Sequence, residues 1–265
     1  MSKLHNITKQ QDNDATIRPG QVKLVGFGPG DPDLLTVKAV KAIEAADIIF
    51  YDDLISKDYL EQIDAEKVYV GKRSGHHSVE QRDINQLLLQ AAKAGKEVVR
   101  LKGGDPMLFA HAGEEIEFLE SYGITVSVIP GITTASAMAS SLKVSLTHRQ
   151  LSSSVALVNG HSNRPETPNA DTLVYYMGAA KLPLIARTLL GKGKSADTPV
   201  ILVYNVSHAD EQRFETTIGE LATDIRVYPT PLIALVGDVV ATMHQRVEDI
   251  VKARGQQFAL REHHV

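Results

Sequence analysis

The chain of 265 residues contains no cysteine and no tryptophan, and aromatic residues make up only 5% of it. Without cysteine there is no disulfide, no thiolate nucleophile and no Cys-ligated zinc or iron–sulfur site, which suits a reducing compartment. No run approaches the roughly 18 consecutive apolar residues of a membrane span. The opening MSKLHNITKQQDNDATIRPG lacks the apolar stretch of a secretory signal. A soluble cytoplasmic protein with a polar tail over residues 1–20 is therefore the expectation. A basic excess is missing as well: 28 Lys and Arg against 32 Asp and Glu give a net charge of −4. That argues against nucleic acid as a partner while leaving room for a local basic pocket. The ten histidines are scattered, with no HExxH pair, so no metal is expected.

What is present is a globular composition, 43% hydrophobic and 23% charged, enough to bury one large or two medium cores. From Val22 onward short β-rich runs alternate with helical patterns, the signature of α/β units on a largely parallel sheet. Strands are expected at Val22–Phe27, Ile48–Tyr51, Lys67–Val70, Val98–Leu101 and Thr125–Ile129. Helices are expected at Leu34–Ala46, Val79–Ala94, Ala112–Tyr122 and Thr133–Leu142. A second series follows at Ser153–Val158, Thr172–Met177, Val200–Tyr204, Phe214–Ile218 and Leu232–Val236, with a helix over Leu182–Leu190. The expected organisation is two α/β domains, 21–147 and 148–246, with a C-terminal tail over 247–265. Their boundary falls near Ser145 to Leu151.

Two loops stand out. Gly26, Gly28 and Gly30 close the first strand, but the pattern is G-x-G-P-G, and Pro29 removes a donor that a dinucleotide pyrophosphate would need. No Gly-Lys-Ser/Thr follows, so a phosphate loop is excluded too. Gly103-Gly104-Asp105-Pro106 follows the strand VVRL and so sits at a carboxyl strand end, where open α/β sheets bind ligands. Asp105 suits ribose hydroxyls or an amine. Each loop alone also reads as an ordinary turn.

Taken together and in order, GFGPGDPDLLT, YDDLIS, VGKRSGHHSVEQRDIN, RLKGGDP, PGITTASA, LTHR, VNGH and YYMG resemble the tetrapyrrole methylase family, in its uroporphyrinogen-III C-methyltransferase branch. The resemblance runs from about Val22 to Val240. It implies two α/β domains with S-adenosyl-L-methionine bound in the cleft between them, S-adenosyl-L-homocysteine as product, and a homodimer. By similarity the cofactor contacts are Pro29, Gly103, Gly104, Asp105, Leu108, Thr133, Thr134, Met177 and Val206. Acid/base roles fall on Asp52 and Lys72, and substrate handling on Glu114 and Arg149. The implied substrate, uroporphyrinogen III, carries eight carboxylates, for which Arg149, His148, Lys72, Arg73, His76 and His77 are candidate partners. Two successive methyl transfers give precorrin-2, on the way to siroheme or cobalamin.

The family pattern after GGDP reads Phe-x-Phe-Gly-Arg-Gly-Gly-Glu-Glu, whereas here Met107 to Glu115 reads MLFAHAGEE. His111 replaces a permanent charge by a conditional one, which bears on substrate carboxylate binding and leaves the cofactor site untouched. A methyltransferase of the same fold acting on a later corrin intermediate, and a tetrapyrrole-binding protein with little turnover, stay open as alternatives. With the chain ending at Val265, any dehydrogenase or chelatase step is expected to reside elsewhere.

Overall fold

Val22, Leu24, Val25 and Phe27 are all fully buried because β1 (Val22–Gly28) runs through the middle of a sheet covered on both faces. The computed structural model describes residues 20–71, 80–164 and 167–252. In it β1 is joined by β2 (Ile48–Tyr51), β3 (Glu66–Tyr69), β4 (Val98–Gly103) and β5 (Val126–Ile129). Their order is β3-β2-β4-β1-β5, and every pairing is parallel. A parallel sheet has to be wrapped on both sides. One face packs on α1 (Val37–Glu44) and α2 (Lys57–Glu61) through Ala39, Ala42, Ile43 and Leu60. The other packs on α3 (Gln81–Lys93) and α4 (Ala112–Ser121) through Ile84, Leu88, Ala92 and Leu119. Helix α1 begins later than the expected Leu34, because Pro32–Leu34 form a 3-10 turn and the Thr36 hydroxyl caps the helix by accepting from Ala39 N.

The chain leaves β1 toward β2 on one side and leaves β4 toward β5 on the other. The carboxyl ends of β1 and β4, which are neighbours, therefore form a topological switch point, the place where open α/β sheets bind ligands.

The second sheet departs from the parallel arrangement expected. Strands β6 (Val155–Asn159), β7 (Thr172–Tyr176), β8 (Pro199–Tyr204), β9 (Gln212–Thr217) and β10 (Leu232–Val236) lie in the order β6-β7-β10-β8-β9. Only β6 and β7 run parallel; the β7–β10, β10–β8 and β8–β9 pairs are antiparallel. Buried apolar runs such as VILV in β8 and LIALV in β10 satisfy either direction, so their pattern carries no sign of it.

Helix α5 (Thr134–Leu142), grouped with the first half in the sequence, packs Ala135, Ala137, Met138 and Leu142 against Val174, Ile201, Val203 and Leu235 of the second sheet. The crossover between cores thus lies at residues 130–133, upstream of Ser145. The opposite face of this sheet is covered by α6 (Leu182–Gly191) and α7 (Ile218–Ala222). Residues 247–252, inside the segment expected to be a tail, are helical, and Ile250 is buried in the same core as α5. Among the described residues no helix is long and apolar enough to cross a membrane.

Candidate functional site

The two glycine loops, some 75 positions apart in sequence, are one structure. Gly28 N donates to Gly104 O at 3.2 Å and Gly104 N donates to Gly28 O at 2.7 Å. A methyl group on Gly26 or Gly131 would strike backbone of the other or of Gly104, so these glycines let three loops touch. Gly104 differs: its φ is +69° and the space beside it is open but for Thr134 Oγ1 at 3.8 Å. There a ligand can lie against the main chain.

The Asp105 carboxylate holds this assembly. Its Oδ1 accepts from Met107 N at 2.8 Å and its Oδ2 from Gly131 N at 3.0 Å, tying the loop after β4 to the loop after β5. The sequence suggests a ligand-facing carboxylate; in the structure both oxygens already serve backbone donors. Thr133 and Thr134 open α5, and its N-terminus is capped from the second sheet. The Tyr176 hydroxyl accepts from Ala135 N at 3.0 Å and lies 2.6 Å from Thr133 Oγ1. Burial raises the pKa of this phenol, with those two bonds pulling the other way. Phe109 packs on the Tyr176 ring at 5.3 Å between centroids.

Between the two sheets lies a cavity of about 590 Å³, within the size range of small-molecule sites. All nine residues of the expected cofactor set line it: Pro29, Gly103, Gly104, Asp105, Leu108, Thr133, Thr134, Met177 and Val206. Asp52 and His111 line it too. Its backbone is strained: of the six described non-glycine residues with positive φ, Phe109, His111, Met177 and Asn205 border the cavity. Such strain clusters at ligand sites, because only a well-braced surrounding can hold it.

Other expected residues fall elsewhere. Glu114 borders an adjoining depression at the mouth, where its carboxylate meets His111 Nδ1 at 3.0 Å. Both partners are mostly exposed, at 61% and 66%, so the pair contributes little to stability. His148 and Arg149 sit on the turn 148–152, outside the lining of the cavity, where His148 N and Ser152 O bond at 2.7 Å. Lys72, Arg73, His76 and His77 lie outside the described residues.

A group of charges outside the expected site residues also lines the cavity. Arg100 and Lys102, successive inward residues of β4, line the cavity together with Gln81. Glu115 on α4 is fully buried beneath them and accepts from Lys102 Nζ at 2.8 Å through both oxygens and from Gln81 Nε2 at 3.1 Å. Arg100 extends across to β2, where its Nη2 donates to Asp52 Oδ2 at 3.1 Å. Burial, then the Arg100 charge, lower the Lys102 pKa against the opposing pull of Glu115. The available signal was two cations two positions apart in a strand whose flanks are apolar.

The model of the tetrapyrrole (corrin/porphyrin) methylases matches residues 21–222. An S-adenosyl-L-methionine-dependent uroporphyrinogen III methyltransferase of Arabidopsis thaliana is 45% identical over 84% of this chain and 64% of its own length. A siroheme synthase of Pseudomonas fluorescens is 42% identical over 92% of this chain and 55% of its own. The chain thus spans between about half and two-thirds of these relatives. Among solved structures, uroporphyrin-III C-methyltransferase of Thermus thermophilus superposes with a TM-score of 0.75 at 37% identity, covering 86% of this chain and 96% of that one. The same enzyme complexed with S-adenosyl homocysteine gives 0.74. With a doubly wound first sheet, a mixed second sheet and a strained cavity between them, the chain belongs to the tetrapyrrole methylase family.

Proposed function

We propose that this chain transfers methyl groups from S-adenosyl-L-methionine to two ring carbons of uroporphyrinogen III, giving precorrin-2. The observation that carries the reading is that one cavity, at the β1/β4 switch point, is lined by all nine residues expected to hold the cofactor. The residues suit such a ligand. Gly104 exposes main chain, Leu108 and Met177 offer apolar surface, and the volume is that of a small-molecule site.

When bound, S-adenosyl-L-methionine supplies a methyl carbon on sulfonium, to which a pyrrole carbon's electron pair bonds as the carbon–sulfur pair leaves with sulfur, so the ring gains the positive charge. The chain's own work is mainly alignment, which can be worth about 7 to 11 kcal/mol. The braced loops at Gly28, Gly104 and Gly131 suit that task. Asp52 lines the cavity with its side chain 26% exposed, and we assign it the proton that the ring sheds. Substrate carboxylates fall to His111 and, by the resemblance, to His148 and Arg149, with Glu114 orienting His111 and Lys72 sharing the acid/base work with Asp52. The reading includes a homodimer in the cytoplasm, supported by the family resemblance and the cysteine-free composition.

Anaerobic incubation with uroporphyrinogen III and methyl-labelled S-adenosyl-L-methionine, followed by mass analysis, tests it. Two methyl groups per tetrapyrrole are expected. Transfer only to a later, already methylated corrin intermediate would reassign the substrate, and tight tetrapyrrole binding without transfer would leave a binding protein.

A further inference from the structure

We infer that Glu115, Lys102 and Arg100 form a buried positioning chain that aims Asp52 into the cavity, with Arg100 as its working end. The inference rests on the proposed role of Asp52 as proton acceptor.

The chain of contacts is continuous. Glu115 is fully buried, and the Lys102 and Arg100 side chains are 4% and 6% exposed. Glu115 grips Lys102 with both oxygens and stands 3.6 Å from Arg100 Nε. Gln81, the first residue of α3, adds a bond to Glu115 Oε1 at 3.1 Å. The Arg100 guanidinium is held flat by carbonyls: Nη1 donates to Leu101 O at 2.7 Å and to Phe50 O at 3.4 Å. Its Nη2 is thereby left to Asp52 Oδ2, while Asp52 Oδ1 accepts from Leu54 N at 3.2 Å. Each carboxylate oxygen of Asp52 is thus fixed by a donor set in backbone or in a buried strand.

Stability alone does not account for this group. Buried ion pairs repay their desolvation poorly, and well-packed apolar side chains in their place are often as stable or more so. The buried Arg100 Nε has no hydrogen-bond partner, a donor left unsatisfied at a cost a purely structural site avoids. What the cluster does achieve is geometric. The planar fork of arginine serves three acceptors at once, and only in one orientation does the last of them lie at the cavity. Lysine also has three donors, but all on one nitrogen, and cannot span acceptors that Arg100 reaches through both Nη1 and Nη2.

The test is Arg100→Lys, alone and combined with Asp52→Asn, reading kcat and the dissociation constant of S-adenosyl-L-homocysteine. A positioned acid or base contributes about 100-fold or more, so Arg100→Lys is expected to lower kcat by about 10- to 100-fold while product affinity stays within about threefold. In the Asp52→Asn background the same change should cost less than about twofold, because a residue acting through Asp52 has nothing left to act on. Wild-type kcat in Arg100→Lys, or losses that multiply in the double variant, overturns the inference. Full turnover in Asp52→Asn alone overturns the role of Asp52 instead, a separate result. Should Arg100→Lys not fold, the charge-neutral Lys102→Met/Glu115→Gln pair enters the same cycle with the same criteria.

Discussion

At the scale of single residues, the site is built from side chains that serve backbone before they serve a ligand. Asp105 bonds Gly131 N and Met107 N, and hydrogen bonds to a charged group are worth about 1.5 to 3 kcal/mol each. Asp105→Ala should therefore leave a folded protein whose S-adenosyl-L-methionine affinity is at least about tenfold weaker. Asp105→Asn keeps one acceptor oxygen and should fall between. Calorimetric titration of both decides it, and unchanged affinity in the folded alanine variant removes Asp105 from the site. Tyr176 does for α5 what its own cap residue does not. Thr133 makes no side-chain capping bond, and the Tyr176 hydroxyl meets Ala135 N instead. Tyr176→Phe should lower stability by about 1 kcal/mol and weaken cofactor binding, read by denaturant unfolding and the same titration. An unaltered midpoint in denaturant would show that the cap contributes nothing.

At the scale of elements, Asp171 secures the start of both β6 and β7. Its Oδ2 accepts from Ser153 N at 2.8 Å, Ser153 Oγ at 3.0 Å, Ser154 N at 3.2 Å and Ser154 Oγ at 3.1 Å. Those bonds, led by the Ser153 backbone N–H, hold its carboxyl below the ordinary carboxylate value. Its stabilisation is therefore complete above the unfolded value near about 3.9 and is lost as pH falls through the lower folded value. Asp171→Asn should be less stable than wild type at pH 6 by about 1 to 3 kcal/mol, with the gap closing on acidification toward pH 3; a gap independent of pH would refute the role. This tie was not legible beforehand, because a lone aspartate between strands reads as an ordinary turn residue. Legible were the long periodic helices and the strands with apolar runs, β2 among them at its observed limits. The five-residue α2 and α7 are too short to show a period. In β4 Arg100 and Lys102 share one face, and nothing in the strand's own sequence supplies those cations with a partner. Only Glu115, thirteen residues beyond Lys102 on another element, turns that face into a buried one.

At the scale of the whole molecule, the two sheets are fastened across the cavity. Asp31 N donates to Ser207 Oγ at 3.2 Å, and a methyl group on Gly30 would sit 1.9 Å from His208 Nε2. Gly30→Ala should push the loop after β8 away from the loop after β1 and weaken cofactor affinity about tenfold, equivalent to about 1.4 kcal/mol. Gly30→Ala/His208→Ala removes the collision but keeps the unfavourable φ of +141°, so a partial recovery is expected. Equal affinities in the two variants would assign the loss to backbone strain alone. The crossover at residues 130–133 has a consequence for biosynthesis. The first sheet has all its strands once β5 leaves the ribosome, but α5, made next, finds its seat only after β7, β8 and β10 have been translated. Until Leu232–Val236 appears, Ala135, Met138 and Leu142 present an uncovered greasy stripe on a nascent chain whose earlier portion is already competent to fold. That stripe is where a chaperone would be engaged. A split placed at 147–148 would strand the stripe on the wrong fragment, whereas one at 130–133 would let each fragment keep the helices that cover its own sheet.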